Sequence, residues 1–260
     1  NSESSNKDYQ SLLAAYKINP TYSELYFEMA KYCEFTNEVL NKKAFCDKLR
    51  VAKLTPSLRE YAYNTLMSVE QNGILVTYGE NDTYPIWVLQ TIEGIRTDIK
   101  ILNFDLMMNQ AYRTRISNEF GLSFAKSYSK NINILTDIAT KNSSKPIYFA
   151  LTVSHLVLKE LKKNLFSTGL AFKYSKSNFN NIPVLKQNWE FKFIKNYLSV
   201  ASNPILSRKM NLNYVMPMLQ LATFYKQNNM ESQYQSIKVK IMAIAKNAGR
   251  EKQIMELLNE

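Results

Sequence analysis

Three short apolar runs, each followed by a segment of helical period, constrain this chain more than any other feature. Gly73-Ile74-Leu75-Val76-Thr77-Tyr78-Gly79 is continuous and framed by glycines. A run of that kind reads as a strand buried on both faces. Asp98-Ile99-Lys100-Ile101-Leu102-Asn103-Phe104 repeats the pattern, and Lys145-Pro146-Ile147-Tyr148-Phe149-Ala150-Leu151-Thr152-Val153 gives the strongest case. Leu170-Ala171-Phe172-Lys173-Tyr174 supplies a fourth. Between the first two runs, residues 86–95 have helical period, with Pro85 as the opening residue and Asp82 or Thr83 as the cap. Strand, helix and strand joined by a short crossover form a right-handed parallel unit. The fold class is therefore α/β: a small, mainly parallel, Rossmann-like sheet of about four strands, covered by helices, with all-helical segments at both ends.

The rest of the chain divides around this layer. Residues 1–20 open polar and read as a flexible segment. Such an opening without Met fits a chain cut from a longer one or matured by signal-peptide removal. Residues 21–183 carry the α/β domain with its leading helices. Thr55-Pro56 starts one helix as N-cap and first helical residue, and Asn72-Gly73 ends it. Helices are also expected from Asp105 to about Ser117, over 132–140 and over 155–166. Residues 175–183 are polar and Asn-rich, and residues 184–260 are helical throughout. Trp189, Phe193, Tyr197 and Leu198 form one stripe there, and the pair of segments around Asn228-Asn229 resembles a tetratricopeptide unit. A single unit of that kind also fits helices that simply pack on the α/β layer.

Composition excludes several classes. A content of 45% hydrophobic and 12% aromatic residues rules out a disordered chain. No apolar run reaches the roughly 18–20 residues of a membrane helix. The net charge is +11, yet only seven of the 33 basic residues are Arg, and 27 Asn accompany the lysines. That pattern describes a solvated basic surface more than a phosphate-reading one, so nucleic acid is not the expected partner. Cys33 and Cys46 are the two cysteines. With His155 as the single histidine they match no zinc spacing, and they stand as two buried thiols or one disulfide.

Chemistry in an open parallel sheet collects beyond the carboxyl ends of the strands. That rule selects the segments 78–84, 103–107 and 152–155. They hold Glu80, Asn81, Asp82, Thr83, Tyr84, Asn103, Asp105, Thr152, Ser154 and His155. Each has a structural use as well, since Asp82, Thr83 and Asp105 can cap helices and His155 can open one. Glu80 answers no structural rule. No GxGxxG, phosphate-loop lysine or GxSxG motif is present, and no cofactor or metal is expected.

The stretch from Gly73 to Asn103 also resembles a family. Gly79, Asn81, Asp82, Thr83, Tyr84, Pro85, Trp87, Gln90, Glu93, Gly94, Arg96 and Asp98 match its pattern. The family is the soluble carboxy-terminal region of uncharacterised bacterial membrane proteins related to protein O-mannosyltransferases. The similarity covers about residues 61–174, and Glu80 stands where the family has Asp. The membrane half that would carry glycosyl transfer is absent, so the resemblance implies context, not a transferase activity. It implies an extracytoplasmic protein, periplasmic or lipid-anchored to the envelope. It adds Trp87 and Arg96 to the ligand-binding candidates Glu80, Asn81, Asp82, Thr83, Tyr84, Asp105 and His155.

The expectation is a non-catalytic module that binds a saccharide or an anionic group at residues 80–84 and meets a protein partner through its carboxy-terminal helices. Two alternatives stand beside it. One is a metal-assisted or acid–base hydrolase or transferase that uses Glu80 and Asp82 with Asp105 or His155. The other is a helical-repeat scaffold.

Overall fold

The computed structural model describes residues 2–128, 130, 133–154 and 158–259. Four helices precede the sheet: α1 (Ser2–Ile18), α2 (Leu25–Thr36), α3 (Val39–Ala52) and α4 (Pro56–Met67). Helix α1 occupies most of the segment expected as a flexible opening. The start of α4 follows from its sequence: Pro56 is its first residue, and Thr55 Oγ1 accepts the Leu58 N–H at 3.3 Å. Cys33 and Cys46 are both buried free thiols on neighbouring helices.

The α/β layer then runs β1 (Ile74–Thr77), α5 (Glu80–Thr91), β2 (Lys100–Asn103), α6 (Phe104–Met107), α7 (Gln110–Phe120), α8 (Asn133–Lys141), β3 (Ile147–Ala150), β4 (Leu165–Ser167) and β5 (Ala171–Tyr174). The sheet has five strands in the order β2-β1-β3-β5-β4. Strand β1 is parallel to β2 and to β3, with Ile74 opposite Lys100 on one side and Ile147 on the other. Strand β5 is antiparallel to both β3 and β4. The centre is thus the parallel α/β sheet expected, extended by an antiparallel hairpin. All of β1 and β3 is buried, which is why those runs carry no polar alternation.

Four local expectations are corrected. Helix α5 starts at Glu80, capped by Gly79, and Pro85 lies inside it. The segment 80–84 is therefore the opening of a helix, not a loop. Proline at the sixth helical position removes one backbone bond, a loss the packing of the buried Tyr84, Ile86 and Trp87 offsets. The helix expected from Asp105 is two helices. Asn103, not Asp105, caps α6 by accepting Leu106 N–H at 3.1 Å, and Asn109 restarts the chain by accepting Ala111 N–H at 2.8 Å.

The expected helix 155–166 begins outside the described residues, continues as a 3₁₀ turn (Lys159–Asn164) and becomes β4. Pairing of Leu165 with Tyr174 and Phe166 with Lys173 wins over the helical propensity of the Leu/Lys run, and Gly169 turns the hairpin at φ 135°. The last correction concerns residues 184–204. Helix α9 (Ile182–Gln187) passes into a π-helical turn (Asn188–Lys192), and Phe193 is extended. Helices α10 (Ile205–Asn211), α11 (Val215–Gln227), α12 (Glu231–Asn247) and α13 (Glu251–Asn259) follow.

Helix α4 explains that break. Its outward face is polar and buried, and it takes the backbone of the carboxy-terminal segment into its own hydrogen bonds. The Glu60 carboxylate accepts the Asn196 and Tyr197 N–H groups at 2.9 and 3.0 Å. Asn64 donates to Ile194 O at 2.7 Å, accepts Ile194 N–H at 2.9 Å and donates to the Tyr214 hydroxyl at 2.7 Å. Ser57 donates to Ser207 Oγ at 2.8 Å. A backbone bonded in this way cannot also complete a helix. Asn64 is 0% exposed, so Asn64→Ala strands buried backbone groups and is expected to cost roughly 1–3 kcal/mol. Urea unfolding checks the loss. Limited proteolysis checks its location, with the first new cuts expected between residues 193 and 204.

Candidate functional site

The chain leaves β1 toward β2 on one side and returns to β3 on the other, so the reversal of strand order lies between the carboxyl ends of β1 and β3. Ligands of open α/β sheets bind at such a reversal. Asp82 occupies it. Gly79 takes φ 93°, a conformation costly for a residue with a Cβ, and this turn brings the start of α5 back over the end of β1. Asp82 Oδ2 then accepts the Tyr78 N–H at 2.7 Å and the Thr152 hydroxyl. One carboxylate therefore joins the residue after β1 to the segment after β3.

An inner polar layer supports it. The Thr83 hydroxyl lies 2.9 Å from Thr77 Oγ1 and 3.3 Å from Asp82 Oδ1, and it accepts from Asn103 Nδ2 at 3.1 Å. Thr77 and Asn103 are register partners at the ends of β1 and β2. All four of these side chains are buried, and Asp82 is 4% exposed. Burial pushes the Asp82 carboxyl up to about 7, against the hydrogen bonds from Thr152 and Tyr78, which favour its ionised form. Among the described residues no cation pairs with Asp82. Its place in the first turn of α5, beside Glu80, does set two acids at the positive end of a helix dipole.

The other expected residues separate. Glu80 forms an ion pair with Lys53 at 2.9 Å, and Lys53 also reaches Glu24 at 2.9 Å. Tyr84 is buried and donates to Lys53 O at 3.1 Å, so both residues fasten α5 to the end of α3. Asn81 is exposed on the first turn of α5, and Asp105 is half-buried in α6 near Asn103.

Trp87 is buried, with its ring 6.0 Å from Phe27 in a stacked arrangement and Lys42 Nζ 4.3 Å from its centroid. Arg96 lies at the opposite end of the sheet. It donates to Asp98 and to the carbonyls of Leu66, Val69 and Glu70, where it closes the end of α4. Those bonds hold the Asp98 carboxyl below the usual carboxylate range. His155 lies outside the described residues. Asp82 and Thr83 are thus brought together with Thr77, Asn103 and Thr152, while Trp87 and Arg96 are not.

Tyr78 is the residue that sequence reasoning passes over. It is 43% exposed, and its ring stands 5.7 Å from that of Phe104. The signal is present in the sequence: a tyrosine immediately past a fully buried strand has nowhere to go but the rim. Among the described residues no group of three His, Cys, Asp or Glu side chains is placed to hold a metal ion.

Residues 58–123 match the family model described as TMEM260-associated domain 2. The match runs from α4 past the end of α7 and contains Tyr78, Asp82, Thr83 and Asn103. The chain matches no curated protein and no solved structure.

The raised Asp82 carboxyl makes a pH prediction. Between about pH 4 and pH 7 the folded protein holds a proton that an unfolded aspartate has released. Stability contributed by this group therefore falls as pH rises through that window, by at most about 1.4 kcal/mol for each pH unit crossed. Asp82→Asn mimics the protonated acid and removes the slope. Urea midpoints of the two proteins are expected to diverge in favour of the variant from pH 5 to pH 7.5. Parallel curves would show that Asp82 ionises normally.

Proposed function

We propose that the α/β layer is a non-catalytic module that binds a hydroxyl-bearing ligand, such as a saccharide, at the carboxyl ends of β1 and β3. On this reading it works in the extracytoplasmic setting of membrane proteins related to protein O-mannosyltransferases, and its carboxy-terminal helices meet a protein partner. The observation that carries the reading is the Asp82 bridge between Tyr78 and Thr152 at the reversal of strand order. It fixes a buried polar group beneath the carboxyl ends of both strands. The half-exposed Tyr78 ring beside Phe104 supplies an aromatic rim of the kind that packs against apolar faces of ligands. The match of residues 58–123 supports the setting, because it covers the stretch in which the family resemblance lies.

Thermal-shift and calorimetric titrations with a panel of mono- and disaccharides test this directly. A ligand that binds the folded state raises the melting temperature with concentration. Stabilisation by at least one sugar is expected for the wild type. Tyr78→Ala, a change at an exposed ring, is expected to lose at least tenfold in affinity while melting within a few degrees of the wild type. A wild type indifferent to the whole panel would overturn the saccharide reading. Undiminished binding by Tyr78→Ala would move the site elsewhere.

A further inference from the structure

We propose a second ligand site, at the amino ends of the strands, that takes an organic oxyanion with a flat apolar body, an aryl carboxylate or aryl phosphate. Two clefts adjoin there and share Lys100, Glu119 and Phe120. The first, of about 300 Å³, is floored by Ile74, Phe120 and Pro146. The second, of about 230 Å³, continues among α2, α3, the end of α5, the start of β2 and the last half of α7. Together they fall within the volume range of small-ligand pockets.

Their charges are unequal in use. Glu34 is paired with Lys42 and Arg115, and Glu119 with Arg115. Lys100 and Lys145 have no ion-pair partner among the described residues. Register explains why they converge on one cleft. Lys100 stands opposite Ile74 on one side of β1, and Lys145 precedes Ile147, which is opposite Ile74 on the other. Two strand spacings, with the two-residue offset of Lys145 along its strand, put their Cα positions about 12 Å apart.

Phe120 lies between them in sequence and lines the same cleft as both. Lys100 Nζ is 5.4 Å from its ring centroid. Gly121 ends α7 at φ 60°, and Lys145 Nζ is 3.7 Å from where a Cβ on Gly121 would stand. A ring packed on Phe120 with its oxyanion between two lysines satisfies both the apolar floor and the unpaired charges. This cleft is at the end of the sheet opposite Asp82, so the proposal is independent of the saccharide reading.

Calorimetric titration with four probes tests it: phenyl phosphate, benzoate, inorganic phosphate and benzyl alcohol. One of the two aryl anions is expected to bind at least tenfold more tightly than inorganic phosphate or benzyl alcohol, and which one leads separates phosphate from carboxylate recognition. Lys100→Gln/Lys145→Gln is expected to lower that affinity at least tenfold and to flatten its salt dependence. Phe120→Leu is expected to weaken the aryl anion and leave inorganic phosphate unchanged. Tyr78→Ala, at the other end of the sheet, is expected to change nothing. Equal binding of all anions, or a double-lysine variant that folds by circular dichroism and binds like the wild type, would overturn the proposal.

Discussion

The bridge from Asp82 to the ends of β1 and β3 is the constraint on which the α/β layer turns. Two parallel strands that diverge in connection need something to fix their carboxyl ends, because the ladder stops there and leaves backbone groups unpaired. The Asp82 carboxylate accepts the Tyr78 N–H and the Thr152 hydroxyl, one from each side. The arrangement requires Gly79 in its left-handed conformation, and it requires α5 to begin at Glu80. A helix begun at Pro85 would leave Asp82 in a loop, free to turn to solvent. The cost of this design is a carboxyl held where its charge is poorly solvated, and the inner layer of Thr83, Thr77 and Asn103 limits that cost by hydrogen bonding.

The central layer was legible in the sequence because burial on two faces leaves an unmistakable record. The runs at Ile74–Thr77, Lys100–Asn103 and Ile147–Ala150 have almost no polar side chain until their ends. The start of α4 was equally plain at Thr55-Pro56. Three things were hidden. Asp82 looked like a cap for a helix at Pro85, since proline most often opens a helix, and only tertiary packing shows that this one tolerates it inside. Residues 165–167 read as helical because a three-residue strand carries too little pattern to compete with a Leu/Lys stretch. The run 187–198 carries a helical stripe, yet Glu60 and Asn64 lie more than a hundred positions earlier and claim its backbone. No local window contains that information.

Helix α4 extends the same principle to the carboxy-terminal segment. Its polar outer face is not a solvated face but a set of fixed donors and acceptors matched to groups opposite. Ser68 continues it, with its hydroxyl accepting the Leu170 N–H at 2.8 Å and its carbonyl accepting from Thr168 at 2.8 Å. Apolar packing alone would let the later helices slide. Buried hydrogen bonds of fixed geometry specify one docking. The helix pair α11 and α12 is accordingly held to the α/β layer through Tyr214 and Asn213, which meet Asn64 and Tyr61. The apolar stripes of that pair are visible in the sequence, and the polar contacts that anchor it are not.

The two ends of the sheet carry different groups. Helix α5 begins where β1 ends, so its amino terminus, with Glu80 and Asp82, sits at the carboxyl end of the sheet. Helix α7 ends at the opposite edge, where Gly121 closes it beside Lys145, and Lys100 lies over Phe120. Acids at helix starts and cations at helix ends are each favoured by the helix dipole. Helix α5 follows that rule with Glu80 and Asp82, whereas α7 has no basic residue in its last turn, and the lysines near its end come from the strand starts. Lys100 and Lys145 line a cleft at the amino pole together with Glu119, and Asp82 is buried at the carboxyl pole. Asp82 has been withdrawn into hydrogen bonds, and Arg96 has been consumed in closing α4 on Asp98. Tyr78 is exposed at the carboxyl pole, and among the described residues Lys100 and Lys145 have no ion-pair partner at the amino pole. The two surfaces differ in chemistry, one aromatic and one cationic, and the two proposed sites share no residue.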